Sequence, residues 1–180
     1  MFGVLECMTN DGTRTFLHGF SGQYNGRWLI NGWVEPLFDV DVWHETNVEI
    51  EKEIKRLTRQ INAGCADAAQ ITQIKNTRRK LSQQLMKDIH SLYRLTNFRG
   101  ETKKLSQLFP NNPPTGTGDC CAPKLLCHAA KNNLLPVSMA EFFVGKENRS
   151  GSKIHGQFYP PCEEKCQPSL GFLLCGLDTL

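Results

Sequence analysis

The chain has 180 residues, of which 39% are apolar and 22% charged, with a formal net charge of +3. That length suits one domain with an appendage, and the apolar fraction suffices for a real core. No apolar run reaches the ~20 residues that cross a bilayer, and Met1-Phe-Gly-Val-Leu-Glu6 lacks the basic flank and apolar stretch of a secretory signal. The expectation is a cytoplasmic chain with no membrane partner, whose cysteines are thiols or metal ligands rather than disulfides.

The small net charge hides an uneven distribution. Residues 1–48 carry two basic and six acidic side chains, residues 49–104 thirteen and six, and residues 105–180 six of each. The middle of the chain is therefore strongly basic, at +7 (13 − 6).

In chain order, residues 2–8 and 14–20 predict a β-hairpin. Phe2 and Val4 alternate, as do Phe16 and Phe20 at wider spacing, and Asn10-Asp-Gly12 supplies the turn. Leu5 and Leu17 break the alternation, so both faces are expected to be partly covered. Residues 21–45 mix turn formers (Ser21-Gly22, Asn25-Gly26, Asn31-Gly32) with Trp28, Trp33, Phe38 and Trp43. Such rings can stack on nucleobases, but a loop pinned to the core by its aromatic groups is the expected arrangement.

A helical segment follows. Thr46-Asn-Val-Glu49 fits a capping box, and Ile50, Ile54, Leu57 and Ile61 recur at helical spacing up to a stop at Asn62-Ala-Gly64. A second helix is predicted from about Asp67 to Leu95, with Ile71, Ile74, Leu81, Leu85, Ile89 and Leu92 along one side. Two such helices with a short joint predict an antiparallel helical hairpin over 46–96, inserted in an α/β domain made of 1–45 and 97–180. Its narrow apolar stripe suits a coiled-coil seam, intramolecular or in a homodimer. Its outer faces carry Lys52, Lys55, Arg56, Arg59, Lys75, Arg78, Arg79 and Lys80. An ordinary solvated helix face explains a charge run of this kind. The excess of +7 favours a footprint for a nucleic-acid phosphate backbone.

After a connector with a short helical piece through Leu105 and Leu108, the chain becomes cysteine-rich. Six of its eight cysteines (Cys120, Cys121, Cys127, Cys162, Cys166 and Cys175) fall between Gly116 and Leu177. Each cluster follows glycine or proline and precedes an apolar run, as helix starts do. A thiolate there sees the positive end of the helix dipole, which favours the metal-binding form. One helix is expected from Asp119 or Cys120 to about Asn132. A buried strand should follow at Met139-Ala-Glu-Phe-Phe-Val144, then a final helix opened by Pro161 and Cys162 or somewhat later.

The order of hairpin, helical insertion, Cys-led helix, strand and Cys-led helix resembles the core of the zinc-dependent nucleobase deaminases. The resemblance implies an α+β fold of three-layer type, with a small mixed sheet flanked by helices. It also implies one zinc on Cys121, Cys162 and Cys166. Two features depart from it. The general-base glutamate would fall near Pro123, which has no carboxylate, and Cys162-Glu-Glu-Lys-Cys166 has three intervening residues instead of two. A structural zinc and a core of buried thiols without metal stand level, ahead of an active hydrolase. Glu141 is the carboxylate that could stand in as proton shuttle.

The whole chain resembles the amino-terminal extension of some bacterial RluA-class RNA pseudouridine synthases. The specific runs are Gly116-Thr-Gly-Asp-Cys-Cys-Ala-Pro-Lys-Leu-Leu126, Met139-Ala-Glu-Phe-Phe143 and Gly156-Gln-Phe-Tyr-Pro-Pro-Cys-Glu-Glu-Lys-Cys166 with Gly176-Leu177. Weaker matches are Phe20-Ser-Gly22 with Asn25-Gly26, Phe38-Asp39 and Gly100-Glu101. In that family the extension precedes a catalytic domain whose His-Arg-Leu-Asp aspartate attacks the target uridine. The nearest string here, Tyr93-Arg-Leu-Thr96, lacks the aspartate. The resemblance implies an accessory, RNA-engaging region that holds no catalytic residues of its own and whose partners are rRNA or tRNA and a synthase catalytic domain. The chain's end at Leu180 falls about where a linker to that domain is expected.

Overall fold

The computed structural model describes residues 1–64, 67–147 and 151–177. Cys65, between the two long helices, lies outside the described residues. The chain forms two compact units, Met1–Leu37 with Tyr93–Leu180, and Phe38–Leu92. None of the described helices is long and apolar enough to cross a membrane.

The first unit is α+β. Strands β1 (Phe2–Met8) and β2 (Arg14–Phe20) form the expected hairpin, and β5 (Leu135–Phe142) joins the other edge of β1, giving the order β2-β1-β5. Strands β3 (Arg94–Thr96) and β4 (Thr102–Lys104) make a separate two-stranded ribbon. Tyr93-Arg-Leu-Thr96 thus leads into and forms β3 and is not the end of a helix.

Every pairing in these sheets is antiparallel, where a mixed sheet was expected. The path of helix α3 (Cys121–Lys131) gives the reason. It starts over Gly3, near the Phe2 end of β1, and the chain turns back at Asn133 (φ 52°). Strand β5 then begins opposite Met8 and ends opposite Phe2, so it must run against β1 and alongside the direction of β2.

Both faces of the hairpin are covered at least in part, as Leu5 and Leu17 implied, and α3 packs on the face of β1 that carries Gly3, Leu5 and Cys7. Gly3, Leu5 and Cys7 are buried, whereas Phe2 and Val4 are only partly covered and Phe16 is 54% exposed. Gly3 and Gly19 lie opposite one another in register. A Cβ on Gly3 would come within 2.6 Å of Cys121 Cβ, and one on Gly19 within 3.2 Å of Leu125 Cγ. Two facing glycines let α3 settle directly on the backbone of the hairpin, where Leu125 and Leu126 are buried.

The aromatic loop is pinned, as expected. Val34 N–H donates to the His18 carbonyl at 2.8 Å, and Trp33 sits edge-on to Phe2 and His18 with centroids 5.7 and 5.8 Å away.

The second unit holds α1 (Val40–Ala63) and α2 (Ala68–Leu92), which pack against one another. Helix α1 starts six residues before Thr46 (46 − 40). The cap is Asp39, whose Oδ1 accepts from the N–H groups of Asp41 (2.9 Å) and Val42 (3.2 Å). Thr46 lies inside the helix, and its hydroxyl donates to the Val42 carbonyl at 2.8 Å, a bond that tolerates a helical interior. Gly64 (φ 64°) ends α1 in the left-handed conformation, as the stop at Asn62-Ala-Gly64 predicts. The apolar seam is narrow, with Leu57 and Leu85 as its buried leucines. Asn47 is also buried on α1, and its side chain has no hydrogen-bond partner among the described residues.

Candidate metal centre

Three chain segments meet at one point of the α/β unit. The first is the loop before α3. Tyr93 Oη donates to Asp119 Oδ1 at 2.6 Å, and Gly22 N–H donates to the Asp119 carbonyl at 3.0 Å. Gly118 takes φ +90°, and a Cβ there would lie 2.6 Å from the Tyr93 ring, so glycine alone lets this loop close on the tyrosine. The loop delivers Cys120 as the residue that caps α3, with an extended backbone (φ −67°, ψ 159°).

The second segment is the edge of β5. Tyr159 N–H donates to the Glu141 carbonyl at 2.9 Å, Phe143 N–H to the Gln157 carbonyl at 3.0 Å, and Phe142 bridges Phe158. The run from 156 to 160 is thereby laid along β5, and it carries the chain to Cys162. The third segment is a single helical turn before α4 (Gln167–Leu173). Cys166 N–H donates to the Cys162 carbonyl at 3.0 Å, which stacks the two cysteines, and their Sγ atoms stand 3.3 Å apart. The C-x-x-x-C spacing, one residue longer than the deaminase pair, is what one i to i+4 turn needs to put both thiols on one side.

The Sγ atoms of Cys120, Cys162 and Cys166 all lie within 4.8 Å of one another. The expected ligand Cys121 is not in this group; its neighbour Cys120 takes the place. As the first residue of α3, Cys121 points down into the sheet. Its Sγ lies 3.4 Å from Ser21 Oγ and 3.6 Å from the Gly19 carbonyl oxygen, and it is fully buried. Consecutive residues at a strand-like cap and a helix start face opposite ways, so only one of two adjacent cysteines can serve each site. Helix capping carries the signal that separates them, since Cys120 sits at the cap and its side chain looks out past the helix end.

Electrostatics separate the two kinds of cysteine. The hydrogen bond with Cys166 and the nearby Lys165 ammonium bring the Cys120 thiol down to about 7, against burial and the Glu141 charge. Cys166 moves up, because it shares its proton with Cys120 and is buried. Burial pushes Cys121 and Cys127 up to about 11 each, and Cys7 upward too. Cys127 Sγ accepts from Thr96 N–H at 3.3 Å. These three act as small apolar core groups. The chain therefore holds a thiol cluster suited to metal and a core of buried thiols at once, in different cysteines.

Glu141, the one residue of β5 that is buried, reaches the same place. Its Oε1 accepts from Ala122 N–H at 2.7 Å, and burial raises its pKa. Glu141 thereby brings a carboxylate from the strand to the start of α3. Cys120, Cys162 and Cys166 line a cavity of about 310 Å³ together with Asp119, Glu141, Lys153 and Lys165. Soft thiolates at this spacing can hold a thiophilic metal ion. His128, His155 and Cys175 do not join the group among the described residues.

The predicted basic residues fall into two sets. On α1, Lys52 pairs with Glu49 (2.7 Å) and Lys55 with Glu51 (2.8 Å), while Arg56 forks onto both oxygens of Glu53 (2.7 and 2.6 Å). Arg59 Nε reaches the Lys55 carbonyl at 3.4 Å. On α2, Lys75, Arg78, Arg79 and Lys80 make no ion pair among the described residues, and neither does Lys87, a further cation of the same helix. The one acid within α2, Asp88, accepts instead from Gln84 at 2.9 Å. Apart from Arg59 on α1, the cations of the helical unit that make no ion pair among the described residues lie on α2.

No family model, curated protein or solved structure matches this chain.

Proposed function

We propose that this chain is an RNA-engaging accessory module of a pseudouridine synthase. In this reading the α/β unit is held together by zinc on Cys120, Cys162 and Cys166, and the cations of α2 contact RNA phosphates. The synthase assignment rests on the sequence runs from Gly116 to Leu177. The observation that carries RNA engagement is the uncompensated charge of α2. Lys75, Arg78 and Arg79 sit within about one turn, and Lys80 and Lys87 lie seven residues apart on a second stripe, all without acidic partners among the described residues. Lysines and arginines bound to neighbouring glutamates have little to offer a phosphate, whereas these can each replace a condensed counterion. The chain has no His-Arg-Leu-Asp aspartate, so uridine isomerisation is left to a catalytic domain.

Zinc fits the donor set because three thiolates within one coordination sphere are its common soft environment. The test of RNA engagement is binding to a structured rRNA or tRNA fragment over a salt series. Neutralising Lys75, Arg78, Arg79 and Lys80 together to glutamine should weaken binding and flatten the salt slope by about 0.7–0.9 for each phosphate that is no longer neutralised. An unchanged slope would refute the α2 footprint.

A further inference from the structure

We propose that a metal on Cys120, Cys162 and Cys166 keeps an exchangeable fourth ligand. That ligand is a small oxygen or nitrogen donor taken from the adjoining cavity, and it hydrogen-bonds to Glu141. The proposal rests on the metal reading above and goes beyond it, because a purely structural zinc would be closed.

The ligand count comes first. Closed structural zinc sites use four protein ligands, and sites that take water or substrate use three. Here three thiols converge, and among the described residues no fourth cysteine, histidine or carboxylate oxygen lies within 4.8 Å of them all. The adjacent Cys121 faces the sheet and its sulfur is engaged with Ser21 and the Gly19 carbonyl, so it cannot swing in without withdrawing from beneath α3.

Space comes second. All three thiols form part of one cavity wall, so a metal they hold has the cavity on its remaining side. At about 310 Å³ the cavity exceeds several times the ~30 Å³ that a water occupies in the liquid. It admits a donor larger than water.

Glu141 comes third. Its side chain is buried to 8% exposure, yet only Oε1 is occupied, by the Ala122 N–H; Oε2 has no hydrogen-bond partner among the described residues. Oε2 is not one of the fully buried atoms left without a partner, so it opens onto space that a ligand can occupy. A carboxylate that lines the same cavity as the thiols, with an oxygen to spare, is placed to accept from a protonated ligand on the metal. The lysines Lys153 and Lys165 on the same wall supply charge that keeps such a carboxylate compatible with three nearby thiolates.

The experiment uses the whole chain loaded with cobalt(II), whose visible bands report ligand number and type. Imidazole is the probe: one nitrogen coordinates and the other N–H can donate to Glu141. The expected result is a saturable shift of the cobalt bands with the thiolate charge-transfer intensity unchanged. Glu141→Gln should keep the cobalt, because glutamine still offers an oxygen to Ala122, and should bind imidazole about tenfold more weakly. N-methylimidazole, which cannot donate, should bind both forms alike. Bands that saturating imidazole does not move would overturn the proposal and leave the metal reading standing. Loss of cobalt from Glu141→Gln would overturn it too, by making Glu141 itself the fourth ligand. Failure to take up cobalt at all would overturn both.

Discussion

The α/β unit and the helical unit use charge in opposite ways. In the first, a set of ionisable groups is buried and mutually engaged: Asp119 with Tyr93, Glu141 with a helix N–H, and three thiols with one another. Lys124 is almost fully buried, with its ammonium 4.7 Å from the Phe20 ring centroid. In the second, charges are mostly exposed, and the ion pairs among the described residues all lie on α1. Buried groups of the first kind define a site, because desolvation makes each neighbour matter. Exposed groups of the second kind define a footprint, because only their uncompensated sum acts at a distance.

The largest effect that would sharpen this contrast is metal removal. A ligand that binds only the folded state at a thousandfold excess over its Kd adds about 4 kcal/mol of stability. Chelation should therefore lower the melting temperature of the α/β unit steeply while far-UV helicity from α1 and α2 persists to the original temperature. Calorimetry with and without chelator would show one transition moving and one staying. If both or neither moved, the two units would not differ as described.

Next comes the close approach of α3. Gly3→Ala forces a Cβ to within 2.6 Å of Cys121 Cβ and should cost about 1–3 kcal/mol as overpacking does. Gly171→Ala, in α4 with nothing within 4 Å of the added atom, should be neutral or stabilising by about 0.5–1 kcal/mol. Urea unfolding of the two variants gives the difference directly. Equal effects would mean that α3 does not rest on the glycine pair.

In the helical unit, removing the charge of α2 should weaken RNA binding much more than removing the charge of Lys52, Lys55 and Arg56. Filter binding at two salt concentrations distinguishes them, and equal weakening would erase the distinction drawn between the helices. The smallest effect concerns Asn47, buried at 2% exposure with neither side-chain polar atom hydrogen-bonded among the described residues. Replacing such a group by an apolar one of similar size is neutral or favourable, so Asn47→Leu should stabilise by about 1 kcal/mol, measured by thermal melting.

Much of this was legible in the residues. Turn chemistry at Asn10-Asp-Gly12, the helical period of the central segment and the stop at Gly64 led directly to the hairpin and the two long helices. The grouping of thiols near two helix starts pointed to a cluster that could hold a metal, with Cys120 in the place expected of Cys121. What the sequence hid were choices made by packing. Leu5 and Leu17 signalled that both faces of the hairpin are covered, but not that α3 rests on the side of Gly3 and Gly19, where size counts against a position. Thr46 and Asp39 are both good caps, and the helix extends to the earlier one because nothing between them interrupts it. Between Cys120 and Cys121 the bias lies only in helix capping: the one at the cap faces the loop, and the sequence allowed the helix to be capped by either Asp119 or Cys120. Likewise the pairing of Lys52, Lys55 and Arg56 with glutamates at i−3 and i−4 was visible in the spacing, but counting charge over the whole segment averaged it away.

The central claim is that Cys120, Cys162 and Cys166 form one metal centre and that Cys121 belongs to the core. The most direct measurement is metal content by mass spectrometry of Cys120→Ala and Cys121→Ala, purified without chelator or added metal. Zinc near one equivalent in the Cys121 variant and absent from the Cys120 variant is the predicted result. Zinc retained without Cys120, or missing when Cys121 alone is replaced in a protein that still folds, would contradict it.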